Sequence, residues 1–448
     1  MSTKLTLLII IMFVTFLSYA NSQMYPGRNG PLNEREMEMA KIAWKYFENN
    51  YQPSTGLTNA VQNYPSTTMW DTGSYLAALL SAYELGIITK AEFDNRMKTI
   101  IKTVNELKLF NNELPNKVYQ SKTAEKVNYT NQPGEIGFSA LDLGRFLIWW
   151  YIIKNRFPEY ADDMDKCILR WSWCNVLDSL GMMYGANIDK NKKTIYLQEG
   201  RLGYEEYAAK GFQLWGFNTE MASKLEPYNT RLIYDIDIPY DARDPRTLGA
   251  HNYVVTESWI LDCIELNWDI PQDSTSDDMT FSDKDIAEIA QKIYKVQEER
   301  FKRTGIMTAR TEHQLEGSPY FVYDVIYTDG YPWNTITEDG KYVPEFSSVA
   351  LKGALGLWVL WETNYTDSLF NYIYPYHDKE KGFYEGIFEN GKGKINTFTC
   401  NNNGIMLEIL LYKAKGKLLK RNFREGFWEK YVKSLTTDNQ CIKLRLKK

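Results

Sequence analysis

The chain has 448 residues, with 52 Lys and Arg against 57 Asp and Glu and a net charge of −5. Basic residues concentrate only in the last stretch, Lys413 to Lys448, so the footprint of a nucleic-acid binder is missing. Three histidines (His251, His313, His377) and five scattered cysteines supply neither metal-ligand spacing nor a disulfide framework, so no metal site is expected.

The first residues read as an export signal. Lys4 precedes an apolar run from Leu5 to Leu17, and Ser18-Tyr19-Ala20 places small residues where cleavage after Ala20 requires them. The run is about 13 residues where a bilayer needs roughly 20, which favours cleavage over a retained anchor. The expected organisation is a signal peptide at 1–20, one domain at 21–415 and a solvated basic tail at 416–448. The product would be a monomer in the periplasm or outside the cell, with no membrane span after cleavage. Cys167 and Cys174 lie seven apart in an apparent helix, about 10 Å along its axis, so free thiols are expected. The sequons at Asn128 and Asn364 would matter only in a eukaryotic host.

Further along, amphipathic helices alternate with apolar ones. Glu34 to Asn50 is amphipathic, and after a loop Asp71 to Leu85 is apolar on nearly every side, the mark of a buried helix. Ala91 to Leu107 and then Phe138 to Ile153 repeat the pair. Ala161 to Leu177 pairs with Tyr204 to Trp215, and a short helix at Thr219 to Leu225 precedes Thr256 to Leu266. Lys284 to Arg303 leads to Phe346 to Trp361, and Asp367 to Tyr374 leads to Asn402 to Lys413. The strings STGLTNA, RTGIMTA and EKGFYEG each follow an outer helix. Six hairpins of about 65 residues with long loops predict an all-α fold, an (α/α)6 barrel with its loops gathered at one mouth.

Acids at the starts of the apolar helices are then the residues to watch: Asp71, Glu135, Asp142, Glu205, Glu206, Glu257 and Glu345, with Asp329 in a preceding loop. Each alone is explained by helix capping; their convergence from several hairpins on one mouth is not. Glycoside hydrolysis needs two carboxyls about the scissile bond, one held protonated by apolar surroundings. Glu206, in Gly203-Tyr204-Glu205-Glu206-Tyr207-Ala208-Ala209, fits the acid, with Glu205 turned about 100° away on the helix. Asp142 and Asp71 are its prospective partners, although Arg145 could neutralise Asp142 as an i, i+3 pair. Trp70 and Trp333 offer flat faces to sugar rings, and Tyr207, Glu135, Glu205, Glu257 and Asp329 complete the expected binding set. Aromatics make up 15% of the chain, which suits a carbohydrate ligand. No cofactor is expected; the spaced aspartates of Asp235 to Asp241 could hold calcium but lack the Gly turn and terminal Glu of an EF-hand.

Thr68-Met69-Trp70-Asp71-Thr72-Gly73, Ser139-Ala140-Leu141-Asp142 and Glu206-Tyr207 carry a resemblance. The chain resembles an uncharacterised family of secreted bacterial proteins in the six-hairpin glycosidase group. More distantly it is similar to the glucoamylase-like domain that includes bacterial β-1,2-glucanases. That resemblance implies the (α/α)6 barrel, and Glu206 and Asp142 as acid candidates. Departures are Asp71 in place of Asn, Glu205 in place of an aromatic, and a missing Pro after the glutamate string. The function expected is a glycoside hydrolase on a polysaccharide or oligosaccharide, with β-glucan one substrate class. A glycan-binding envelope protein is the main alternative. A polysaccharide lyase using His251-Asn252-Tyr253 is the other.

Overall fold

The computed structural model describes residues 27–245, 251–271, 273, 281–420 and 426–435. The expected signal peptide lies outside the described residues, as does Cys441. The described helices are α1 (Glu34–Asn50), α2 (Met69–Glu84), α3 (Lys90–Glu106), α4 (Ala140–Arg156), α5 (Ala161–Arg170) and α6 (Tyr204–Leu214). They continue with α7 (Glu257–Leu266), α8 (Lys284–Thr304), α9 (Leu351–Leu360), α10 (Asn364–Ile373), α11 (Cys400–Lys415) and the short α12 (Phe427–Tyr431).

Hydrophobicity sorts these helices into two layers. In α3, buried Phe93, Met97, Ile100, Ile101 and Val104 recur at helical spacing on one face, so the helix lies on the outside. Helix α9 is buried at every position and α2 along almost its whole length, so neither can lie at the surface. The buried helices pack in order, α2 on α4, α4 on α6, α6 on α7, α7 on α9, α9 on α11, and α11 back on α2. Helices α1, α3, α5, α8 and α10 cover this ring. Burying each large side chain of the inner layer stabilises by about 1.5–3 kcal/mol.

Caps set where the inner helices begin. Thr68 accepts the Asp71 N–H while Asp71 reaches back to Thr68 N–H, a reciprocal capping box. Ser139 accepts the Asp142 N–H at the start of α4. Between α4 and α6 the backbones nearly touch. A Cβ added at Gly144 would lie 2.5 Å from the Ala208 Cβ, and one at Gly211 would lie 2.2 Å from the Gly144 carbonyl oxygen. Only glycine permits that approach.

The all-α expectation is corrected, because the loops carry eight small antiparallel sheets among the described residues. One joins β1 (Gly137–Phe138), β2 (Tyr184–Ile188) and β3 (Thr194–Gln198), pairing Gly137 with Asn187 and Phe138 with Ala186. Another is the hairpin β4 (Tyr228–Ile233) and β5 (Ile236–Asp241), and a third joins β6 (His313–Gln314), β7 (Phe321–Asp324) and β8 (Thr335–Ile336). The helix expected at Thr219 to Leu225 is a run of turns, and that expected to reach Leu177 ends at Arg170.

Two further expectations are revised. Cys174 is disulfide-bonded, while Cys167, Cys263 and Cys400 are free and buried. The described part of the tail is docked rather than solvated. Trp428 is buried, its Nε1–H donates to the Trp215 carbonyl at 2.8 Å, and Lys154 pairs with Glu429 at 2.9 Å. No helix among the described residues is long and apolar enough to cross a membrane.

Candidate active site

The N-terminal ends of the inner helices meet. Trp70 at the start of α2 donates its Nε1–H to Asn401 of α11 at 3.0 Å and sets its ring edge-on to Tyr204 of α6 at 5.6 Å. Asn401 in turn donates to Glu257 of α7 at 3.0 Å, and Glu257 pairs with Lys352 of α9. Trp70, Leu141, Tyr204, Tyr253 and Tyr323 pack together, with the Tyr253 and Tyr323 rings stacked at 4.3 Å, as a mostly aromatic floor.

Carboxyls stand on both sides of this floor. On one side Asp142, only partly covered, lies 3.1 Å from the Ser139 hydroxyl. Burial, then the charges of Glu199 and Asp71, push its carboxyl up to about 7. Asp71 is pushed up by burial to about 6. On the other side Glu312 accepts the Tyr204 hydroxyl and, at 2.8 Å, that of Thr311. Burial and the neighbouring Glu257 push it up to about 7. Lys352, buried among Glu257, Glu312 and Glu385, keeps its charge because those acids outweigh the cost of burial. Tyr253 lies within electrostatic reach of both Glu312 and Glu199, which ties the two sides to one cleft. Above Asp142, the 68% exposed Tyr129 overhangs from the loop, within reach of Asp142 and Glu199.

Beneath the floor the ring axis is charged as well. Arg145 donates to Tyr207 at 2.9 Å, Glu265 at 2.8 Å and Glu408 at 3.1 Å, with its guanidinium 5.1 Å from the Trp70 ring centre. The expected Asp142–Arg145 pair is thus corrected, since Arg145 points down the axis to two acids on facing helices.

Of the residues singled out in the sequence, Trp70, Asp71, Asp142, Tyr207 and Glu257 come together at this end. Glu205 and Glu206 do not. Helical geometry that aims Tyr204 and Tyr207 inward turns the two residues between them to the flanks. Glu205 pairs with Arg243 at 2.5 Å. Glu206 is 3% exposed and accepts the Gly203 N–H at 2.6 Å, capping its own helix, with its carboxyl pushed well up by burial and by Glu205. Ala208, one turn on from Tyr204, packs on Gly144. Glu135 pairs with Lys126 at the surface, and Asp329 meets His251 at 2.7 Å. Trp333 stacks on Tyr234 at 6.1 Å, under Arg300, away from the acids. Asp235 pairs with Arg303 and Asp241 with Arg243, while Asp237 between them is exposed. Glu199, Glu312 and Lys352 were not legible as site residues; the one local signal is the Gly after Glu199.

A family model described as "Protein of unknown function (DUF3131)" matches residues 38–416. The chain belongs to that family. No curated protein sequence matches the chain. Among solved structures, DUF3131 residues here overlay an endo-β-1,2-glucanase from Chitinophaga pinensis in complex with sophorotriose and glucose. The TM-score is 0.63 at 12% identity over 87% of this chain and 94% of that one. A candidate glucoamylase from Bacteroides fragilis NCTC 9343 gives 0.63 at 11% identity over 92% and 97%. An endo-β-1,2-glucanase from Talaromyces funiculosus with sophorose gives 0.56 at 12% over 86% and 84%. At such identities the likeness to these solved structures is one of fold.

Proposed function

We propose that this chain is a glycoside hydrolase, that its ring of helices is an (α/α)6 barrel, and that it acts on a neutral glycan laid across the aromatic floor. The observation that carries the reading is that two carboxyl groups border the aromatic cluster of Trp70, Tyr204, Tyr253 and Tyr323: Glu312 accepts the Tyr204 hydroxyl, and Asp142 follows Leu141, which packs in that cluster. Asp142 is the proton donor. It is partly accessible, and its carboxyl sits near neutrality, where an acid both holds and gives up its proton. Glu312 is the carboxylate that activates water, poised by the Tyr204 and Thr311 hydroxyls. Trp70 is the sugar platform. The fold likeness to endo-β-1,2-glucanases supports a β-glucan as the first substrate class to test.

Asp71, Asp142, Glu199, Glu257, Glu312 and Glu385 make the mouth acidic, which disfavours a lyase that must bind a uronate. The test is reducing-end release across a glucan panel including β-1,2-glucan, by wild type, Asp142→Asn, Glu312→Gln and Glu206→Gln. Release lost in the first two and kept in the third supports the assignment. Release lost only in Glu206→Gln moves the acid to α6, and silence of the wild type on a broad panel turns the reading toward glycan binding.

A further inference from the structure

The start of α4 holds three side chains in a row, and the helix cap accounts for Ser139 but not for Glu199. Ser139 Oγ lies 2.8 Å from Glu199 Oε1 and 3.1 Å from Asp142 Oδ1, and it accepts the Asp142 N–H at 3.1 Å. Glu199 arrives from the segment after β3, and its second oxygen accepts the Ala140 N–H at 2.6 Å. The seat is shaped for it. A Cβ at Gly185 on β2 would lie 2.2 Å from Glu199 Oε2.

Proton counting decides how this row is wired. A serine hydroxyl has one hydrogen and faces two carboxyl oxygens. The shorter contact gives that hydrogen to Glu199; burial pushes the Glu199 carboxyl up, but the Ser139 hydroxyl, the Ala140 N–H and the Lys117 charge all favour its ionised form, so it is assigned as the carboxylate of the row. The remaining contact, Asp142 Oδ1 to Ser139 Oγ, is then a hydrogen bond only if Asp142 supplies the proton. Resting on the hydrolase reading above, we propose that Glu199 is a positioning residue which, through Ser139, holds Asp142 protonated and aimed for donation. On donation the Asp142 proton passes to the departing glycosidic oxygen, Asp142 becomes the carboxylate, and Glu199 stays ionised throughout.

Other groups act on Asp142 and set the background. Asp71 from α2 favours the protonated form, Lys117 opposes it, and Tyr129 lies within electrostatic reach of it. Lys117 is itself tethered to Asn187 of β2 at 2.7 Å. All three side chains are retained when Glu199 is altered, and Lys117 and Tyr129 face Glu199 as well as Asp142.

Glu199→Gln removes the charge yet keeps an acceptor for Ala140, and it frees the Ser139 hydroxyl to donate to an ionised Asp142. Both effects act in one direction. Protein labelled with ¹³Cγ-aspartate, with the Asp142 resonance assigned by its loss in Asp142→Asn, gives the titration midpoint without any substrate. The midpoint is expected to fall by roughly one pH unit or more in Glu199→Gln. The basic limb of kcat on a substrate found by the panel should move down with it. Gly185→Ala, which displaces the carboxyl without changing its chemistry, is expected to lower the midpoint too and serves if Glu199→Gln does not fold. An unchanged midpoint in a folded variant overturns the inference while leaving the hydrolase reading standing. A wild type inactive on every glycan would sink the hydrolase reading and leave the titration result intact.

Discussion

Replacing Arg145 with Met probes the charged axis below the cleft. Among the described residues the guanidinium is the only cation bonded to Glu265 and Glu408, and all three side chains are fully buried. Met fills much of the same volume without charge, so Glu265 is left ionised in a dry interior or must take a proton. Removing one partner of a buried pair costs about 3–5 kcal/mol if the other stays charged. Protonation instead costs about 1.4 kcal/mol for each pH unit above the unfolded glutamate value near 4.3. At pH 5 that route costs about 1 kcal/mol, whereas at pH 8 neither route costs less than about 3 kcal/mol. The sign follows from the native acids. Burial raises both carboxyls in the folded chain, so stability linked to them is present at low pH and is lost as pH rises. Arg145→Met steepens that loss. Urea unfolding followed by tryptophan fluorescence at pH 5 and pH 8 should show a deficit relative to wild type about 3 kcal/mol larger at pH 8. A deficit independent of pH, or one under about 1 kcal/mol at pH 8, would refute the reasoning.

Asp142→Asn should lower kcat on an identified substrate by about 10²–10⁴-fold, and wild-type activity should fall as pH rises through about 7, where Asp142 gives up its proton. Glu206→Gln keeps an oxygen for the Gly203 N–H, so activity and the unfolding midpoint should both stay near wild type; a loss of activity alone would return Glu206 to the mechanism. Gly144→Ala should destabilise by about 1–3 kcal/mol through overpacking against Ala208, despite a gain in helix propensity of about 1 kcal/mol. A more stable Gly144→Ala, measured by urea unfolding, would mean that α4 and α6 part freely.

The layers were legible because helix periodicity needs no partner to be seen. Phe138 to Ile153 is too apolar to lie outside, and its place in the inner layer follows directly. The sheets were not, because strands of two to six residues carry too few positions for a period of two to stand out. Asp71 and Asp142 were found through their place at helix starts. Glu199 and Glu312 sit in connecting segments, and what makes them site residues is contact with Ser139 and Tyr204, 60 and 108 positions away. Glu206 was picked from its surroundings, and the structure shows it capping Gly203. An acid beside Tyr in a buried helix start has the right surroundings, but its direction is fixed by Tyr204 and Tyr207 pointing inward.

The contact of Gly144 with Ala208 and Gly211 bears on how such a site opens and closes. Where two helices meet through side chains, small rotamer changes let them slide by an ångström or so. Here main chain lies on main chain, with no lubricating layer between. Helix α4 with Asp142 and helix α6 with Tyr204 therefore travel as one piece. Any closure of the cleft would have to come from segments outside this pair, such as the loop around Tyr129, and the spacing between Asp142 and Tyr204 would be kept through it.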